Sequence, residues 1–202
     1  MAELTPRRRP WLLLTLLVLL VLALVAGSAA VAWQVWGTNR PARSAASELV
    51  SEARTAWKAG KPHPQVLAVL SSEELGIEWP VLVGTSTEQL DRGLGWYPQT
   101  SRPGEKGNLA IAGRRITHGA PFAKLLDLRE GNQITLETHQ GRSRYRITTA
   151  PAQVDAGKSG GWVLDRVPGQ DAEPTTSLLT LTTAADLLGT NRRAVVFAEL
   201  MG

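Results

Sequence analysis

Residues 134–149 read ITLETHQGRSRYRITT. Ile134 and Leu136 alternate with Thr135 and Glu137, and Tyr145 and Ile147 alternate with Arg146 and Thr148. Side chains on a strand point to opposite faces in turn, so this is the pattern of two strands with one face buried and one wet. His139-Gln140-Gly141 between them is short and ends in glycine, as a hairpin connection does. The same kind of short apolar run recurs on either side of the hairpin, at Val66–Leu70, Val81–Val83, Leu109–Ala112, Trp162–Leu164, Leu178–Thr182 and Ala194–Ala198. Thr85-Ser-Thr-Glu88 has the form of a capping box opening a short helix through Leu90, and Pro121–Leu128 suggests another, stopped by Gly131. Glycine and proline make up 31 residues, most of them beyond residue 59. The reading is a mainly β domain: an eight-stranded, closed or nearly closed barrel with short helical insertions.

Upstream of the barrel the composition changes. Residues 11–33, WLLLTLLVLLVLALVAGSAAVAW, carry no charge, and at about 1.5 Å per residue they span a hydrocarbon core of about 30 Å. Arg7, Arg8 and Arg9 precede the run, which keeps that end in the cytoplasm by the positive-inside rule. Trp11 at one end, and Trp33 and Trp36 at the other, suit the interfacial belts. The alternative is a cleaved signal peptide, with Ala30-Val31-Ala32 as the processing site. The expected order is a cytoplasmic tail at 1–10, a signal-anchor helix at 11–33, a stalk at 34–64 and the barrel domain at 65–202. The protein would then be single-pass in the plasma membrane, with its domain extracytoplasmic. Within the stalk Leu49, Val50, Ala53 and Trp57 recur at helical spacing, and Gly60, Pro62 and Pro64 end that short helix.

Charge and composition exclude several functions. The formal charge of +4 is divided evenly: the tail carries +2 on a few residues, and from residue 34 onward 19 basic and 17 acidic residues nearly balance. Nucleic acid is not an expected partner, because no basic stripe answers a phosphate backbone. The chain has no cysteine and three histidines, His63, His118 and His139, none at ligand spacing; no metal and no cofactor is expected. Gly157–Gly161, GKSGG, lacks the spacing of a phosphate loop. Trp79, Trp96 and Trp162 read as core or rim packing.

Three segments carry more. The first is GTSTEQLDRGLGWYPQT, residues 84–100, followed by PGEKGN, residues 103–108. The second is NLAIAGRRITHGAPF, residues 108–122. The third is LLTLTTA, residues 178–184, with Arg193 nine residues later and AVVFAE after it, residues 194–199. In order and spacing they resemble the core of class E sortases, membrane-anchored cysteine transpeptidases of the Gram-positive cell surface, over roughly residues 65–200.

The resemblance implies an eight-stranded barrel in which a cysteine ends one strand, a histidine ends an earlier one, and an arginine follows on the next strand. The cysteine attacks a Thr–Gly bond and the histidine moves protons. The arginine steadies the oxyanion, and an amine resolves the acyl-enzyme. Carried onto this chain, the cysteine position after Thr180-Leu181-Thr182-Thr183 is Ala184, the histidine position after Ala112-Gly113 is Arg114, and the arginine position is Arg193. A methyl group cannot attack a carbonyl, and a guanidinium does not shuttle protons near neutral pH. His118, Thr182 and Thr183 are candidate groove or rescue residues, and Asp186 is a candidate counter-charge to the two arginines. The expectation is a pseudoenzyme of the cell envelope that binds a sorting-signal peptide or a surface partner. The alternatives are a regulator or scaffold for an active sortase, and a non-thiol peptide hydrolase or transferase.

Overall fold

The structure, a computed structural model, describes residues 10–33, 37–155, 160–184 and 192–201. The basic run Arg7–Arg9, Trp36 and most of the GKSGG segment lie outside the described residues. Among the described residues nine strands form one sheet. They are β1 (Val66–Ser72), β2 (Ile77–Val83), β3 (Leu94–Trp96), β4 (Gly107–Ala112), β5 (Gln133–Thr138), β6 (Gly141–Ile147), β7 (Ala152–Asp155), β8 (Ser177–Ala184) and β9 (Arg192–Leu200). The order is β6-β5-β1-β2-β3-β4-β8-β9-β7, and a further pairing of β6 with β9 closes eight of them into a barrel. The outer edge of β9 is divided: Ala198–Leu200 pair with β6, while Arg192–Val195 pair with β7. Most neighbours are antiparallel; β2–β3 and β4–β8 are parallel.

The hairpin read at 134–149 is β5 and β6, in register from Gln133 with Arg146 to Thr138 with Gly141. Ile134, Leu136, Tyr145 and Ile147 are buried, while Arg144 and Arg146 are exposed, as alternation requires. The buried four join Leu70, Leu94, Leu109, Ile111, Phe122, Leu179 and Leu181 in the barrel core. Tyr145 brings a hydroxyl into that core; it shares a 3.0 Å hydrogen bond with Ser177 Oγ and accepts the Gly104 N–H at 3.1 Å.

Local details depart from the sequence reading. Trp162–Leu164 is not a strand but part of a short 3-10 helix, Gly160–Leu164. It lies against the outside of the barrel, with the Trp162 ring 5.7 Å from that of Phe197. Two helices precede the barrel and a third is inserted into it. α1 (Pro10–Ala32) contains a 20-residue stretch, Leu13–Ala32, long and apolar enough to cross a membrane, and none of it is buried against the protein. α2 (Asn39–Lys58) is longer than the helix the sequence marks within the stalk, and it is docked. Its Leu49, Val50 and Ala53 pack on Val66, Val69 and Leu82 on the outside of β1 and β2, with Trp57 alongside. Arg54 fastens its far half through Glu78 at 2.6 Å and Glu137 at 2.8 Å. The hydrogen bond to Glu78 leads in raising the Arg54 pKa above its ordinary value.

The inserted helix, α3 (Thr87–Arg92), begins at Ser86 as N-cap rather than at Thr85, and Ser86 bonds the Gln89 side chain instead of a backbone N–H. Of Pro121–Leu128 only Leu125–Asp127 is helical, as one 3-10 turn.

Candidate functional site

The ends of β4 and β8 and the start of β9 meet at one end of the barrel. Ala112 stands beside Thr182, and Ala184 beside Arg193. The Gly113 N–H donates to the Thr182 carbonyl at 3.1 Å, and Thr183 Oγ1 donates to the Gly113 carbonyl at 2.8 Å. Thr183 is therefore spent on tying β8 to the end of β4. Alternation puts Thr180, Thr182 and Ala184 on the outer face of β8. Across the ladder they pair with Phe197, Val195 and Arg193. On that outer face the side chains are small, and Ala110, Ala112 and Thr182 are buried, while Ala184 at the end of β8 is only half-buried; Trp162 stacks near Phe197 at one end.

Tyr97 and Arg193 stand at the other end. The Tyr97 N–H donates to the Ala110 carbonyl. Burial raises the Tyr97 phenol above its ordinary 10.0, and the positive charge of Arg193 pulls the other way. Arg193 is exposed, and no ion pair holds it among the described residues. A phenol raised on folding contributes stability that is complete below pH about 10 and is lost as pH rises through the folded value. Replacing Arg193 with alanine removes the lowering charge. The Tyr97 tyrosinate titration is then expected to move further up, read by ultraviolet absorbance with Tyr97→Phe as the blank for Tyr145.

Arg114 follows Gly113 at the end of β4 and pairs with α3. One of its Nη atoms lies 2.5 Å from Asp91 Oδ1 in α3, and His118 Nδ1 lies 3.4 Å from the same oxygen. Arg114 Nε and His118 Nδ1 are buried from solvent with no hydrogen-bond partner among the described residues. The counter-charge of Arg114 is therefore Asp91, 23 residues upstream, which the sequence reading missed. Asp186, assigned that part from the sequence, lies outside the described residues. His118 shares the Asp91 carboxylate with Arg114. Among the described residues no group of His, Cys, Asp or Glu is arranged to hold a metal.

The sortase domain family model matches residues 70–201, nearly the whole barrel. This chain is a member of the sortase family. Sortase E from Streptomyces avermitilis is 36% identical with a TM-score of 0.59, covering 68% of this chain and 89% of that one. A crystal structure of sortase E1 from Streptomyces coelicolor with a tripeptide in the active site is 29% identical, at a TM-score of 0.60 and with the same coverage. By sequence, sortase SrtE1 of Streptomyces coelicolor is 31% identical over 190 residues, which are 85% of this chain. The chain spans about half the length of that relative, 52%. Its relationship is to the class E branch, as the segments around residues 84–122 and 178–199 indicate.

Proposed function

We propose that this sortase-family protein is anchored in the plasma membrane by α1, with its N-terminus cytoplasmic and its barrel outside, and that it binds a sorting-signal-like peptide without cleaving it. The observation that carries the reading is Ala184 at the end of β8 in a chain with no cysteine. In this reading Ala184 and Arg114 stand where active relatives have their nucleophile and their histidine. No acyl-enzyme forms on a methyl group. A non-thiol activity is disfavoured as well: Thr183 Oγ1 is occupied by the Gly113 carbonyl, and Thr182 is buried.

Recognition needs less than catalysis. The exposed guanidinium of Arg193, beside Ala184 and near the Tyr97 ring, donates to a peptide carbonyl or carboxylate. Calorimetric titration of the full chain in detergent micelles with a Leu-Ala-x-Thr-Gly peptide is expected to show saturable binding without cleavage. Arg193→Ala is expected to weaken it about tenfold, the loss of one charge-assisted hydrogen bond. The double variant Arg114→His, Ala184→Cys supplies the control. If the unmodified chain and this variant both fail to bind, the site is not a peptide site, and a regulatory or scaffolding contact with an active sortase becomes the better reading.

A further inference from the structure

The loop Arg114–Ala120, which leaves β4 at the site, is held in an unusual backbone conformation from outside the barrel. His118, Gly119 and Ala120 have φ of +53°, +83° and +50° in succession. Side chains disfavour that region, so His118 and Ala120 stay there only if their surroundings impose it. The N-terminus of α2 supplies the restraint. The Asn39 side chain works in both directions, accepting the Gly119 N–H at 2.8 Å and donating to the Ile116 carbonyl at 3.3 Å. Arg43 Nε donates to the Gly119 carbonyl at 3.2 Å. Thr38, the N-cap residue, makes no side-chain cap bond to its own helix, and its Oγ1 accepts the His118 N–H at 3.3 Å. Three side chains within six residues thus hold four backbone groups of one loop.

Those residues follow closely on the apolar helix. Trp33 is the last described residue of the apolar segment, and the five residues from there to Thr38 reach at most about 18 Å when fully extended. We infer that Thr38, Asn39 and Arg43 are positioning residues that hold the loop Arg114–Ala120, and with it the site end of the barrel, within about 20 Å of the bilayer surface. This rests on the reading of α1 as a membrane anchor, which can fail separately.

The opposite end of the barrel gives the comparison. β5 starts where the Gln133 N–H meets Glu74, in the turn whose Leu75–Ile77 share a cavity with Arg43 and Ala120–Pro121. From there β5 runs six residues, about 20 Å, to the hairpin at Gln140.

Because the chain has no cysteine, Thr117→Cys and Gln140→Cys each give a single labelling point. The full chain in nanodiscs, with a nitroxide on the lipid headgroups, is expected to show quenching of a fluorophore at 117 at least about threefold stronger than at 140. Adding Asn39→Ala and Arg43→Ala is expected to reduce that difference and to speed amide exchange across residues 114–120 at least about fivefold, with exchange in β5 unchanged. Asn39→Asp keeps the acceptor for the Gly119 N–H and is expected to retain more protection than Asn39→Ala; a merely structural role would not separate the two. Equal quenching at 117 and 140, or unchanged exchange at 114–120 in the double variant, overturns the inference and leaves the anchor standing. Quenching at neither position overturns the anchor and the inference together.

Discussion

Replacing Asn108 with alanine is expected to cost about 3 kcal/mol of folding stability, measured as a shift in the denaturant midpoint at constant slope. Asn108 is buried on β4, yet its amide is satisfied on both sides. Nδ2 donates to the carbonyls of Val163 at 2.8 Å and Asp165 at 3.0 Å, and Oδ1 accepts from Thr180 Oγ1 at 2.7 Å. Alanine would leave the Thr180 hydroxyl, which is fully buried, without its acceptor, and would release the two carbonyls that seat the 3-10 helix Gly160–Leu164. Breaking a satisfied buried network costs more than a single bond, since each orphaned group carries its own desolvation penalty. Thr180→Val removes the hydroxyl and fills its volume, so the double variant is expected to cost less than the sum of the two singles. Exchange should also quicken at Trp162–Asp165 before the barrel itself opens. An Asn108→Ala protein as stable as the parent would mean that the 3-10 helix is not held through this amide.

Gly119→Ala is expected to be nearly as damaging, at about 3 kcal/mol, for two additive reasons. Its φ of +83° is disfavoured for any L side chain, which costs about 1 kcal/mol. The new methyl would also collide with Trp79 Cη2 and stand 2.6 Å from Cζ2. Trp79 is buried and its ring is rigid, so relief requires the loop to move, and overpacking of this kind costs about 1–3 kcal/mol. Gly131 separates the two causes. Its φ is +90° and nothing lies within 4 Å of the position a Cβ would take, so Gly131→Ala is expected to cost only the conformational part, about 1 kcal/mol. Thermal unfolding of the pair checks this, and equal losses would mean that Trp79 yields easily.

Much of the barrel is legible in the sequence because its strands bury one face and leave the other wet. That holds for Ile134–Glu137 and Tyr145–Thr148, where partner strands and turn are readable together. β3 is not legible: Leu94, Gly95 and Trp96 are all buried, so three residues show no alternation. β7 escapes for the opposite reason, since Ala152, Gln153 and Asp155 are exposed. The ambiguity of a short apolar run explains the third case: Trp162-Val163-Leu164 looks identical as a strand or as a helical turn until its surroundings are known. The docking of α2 is carried partly by Ala42 and Ala46, whose small side chains signal little hydrophobicity although both are buried. In the site, the segment order leads to Arg114, Ala184 and Arg193, but the Asp91–Arg114 pair joins α3 to the end of β4 through space. No spacing rule connects residues 23 apart in different elements.

The division of the β9 edge has a consequence for how the protein is made. β9 is the last of the nine strands in chain order, yet it completes the pairing of β6, β7 and β8 at once. A nascent chain would therefore present three unfinished edges until that strand arrives, and such edges invite pairing with other chains. The preceding eight strands cannot close on themselves, so commitment to the native ring waits for residues 192–200. Any factor that shields nascent chains would have its longest work on this protein just before those residues emerge.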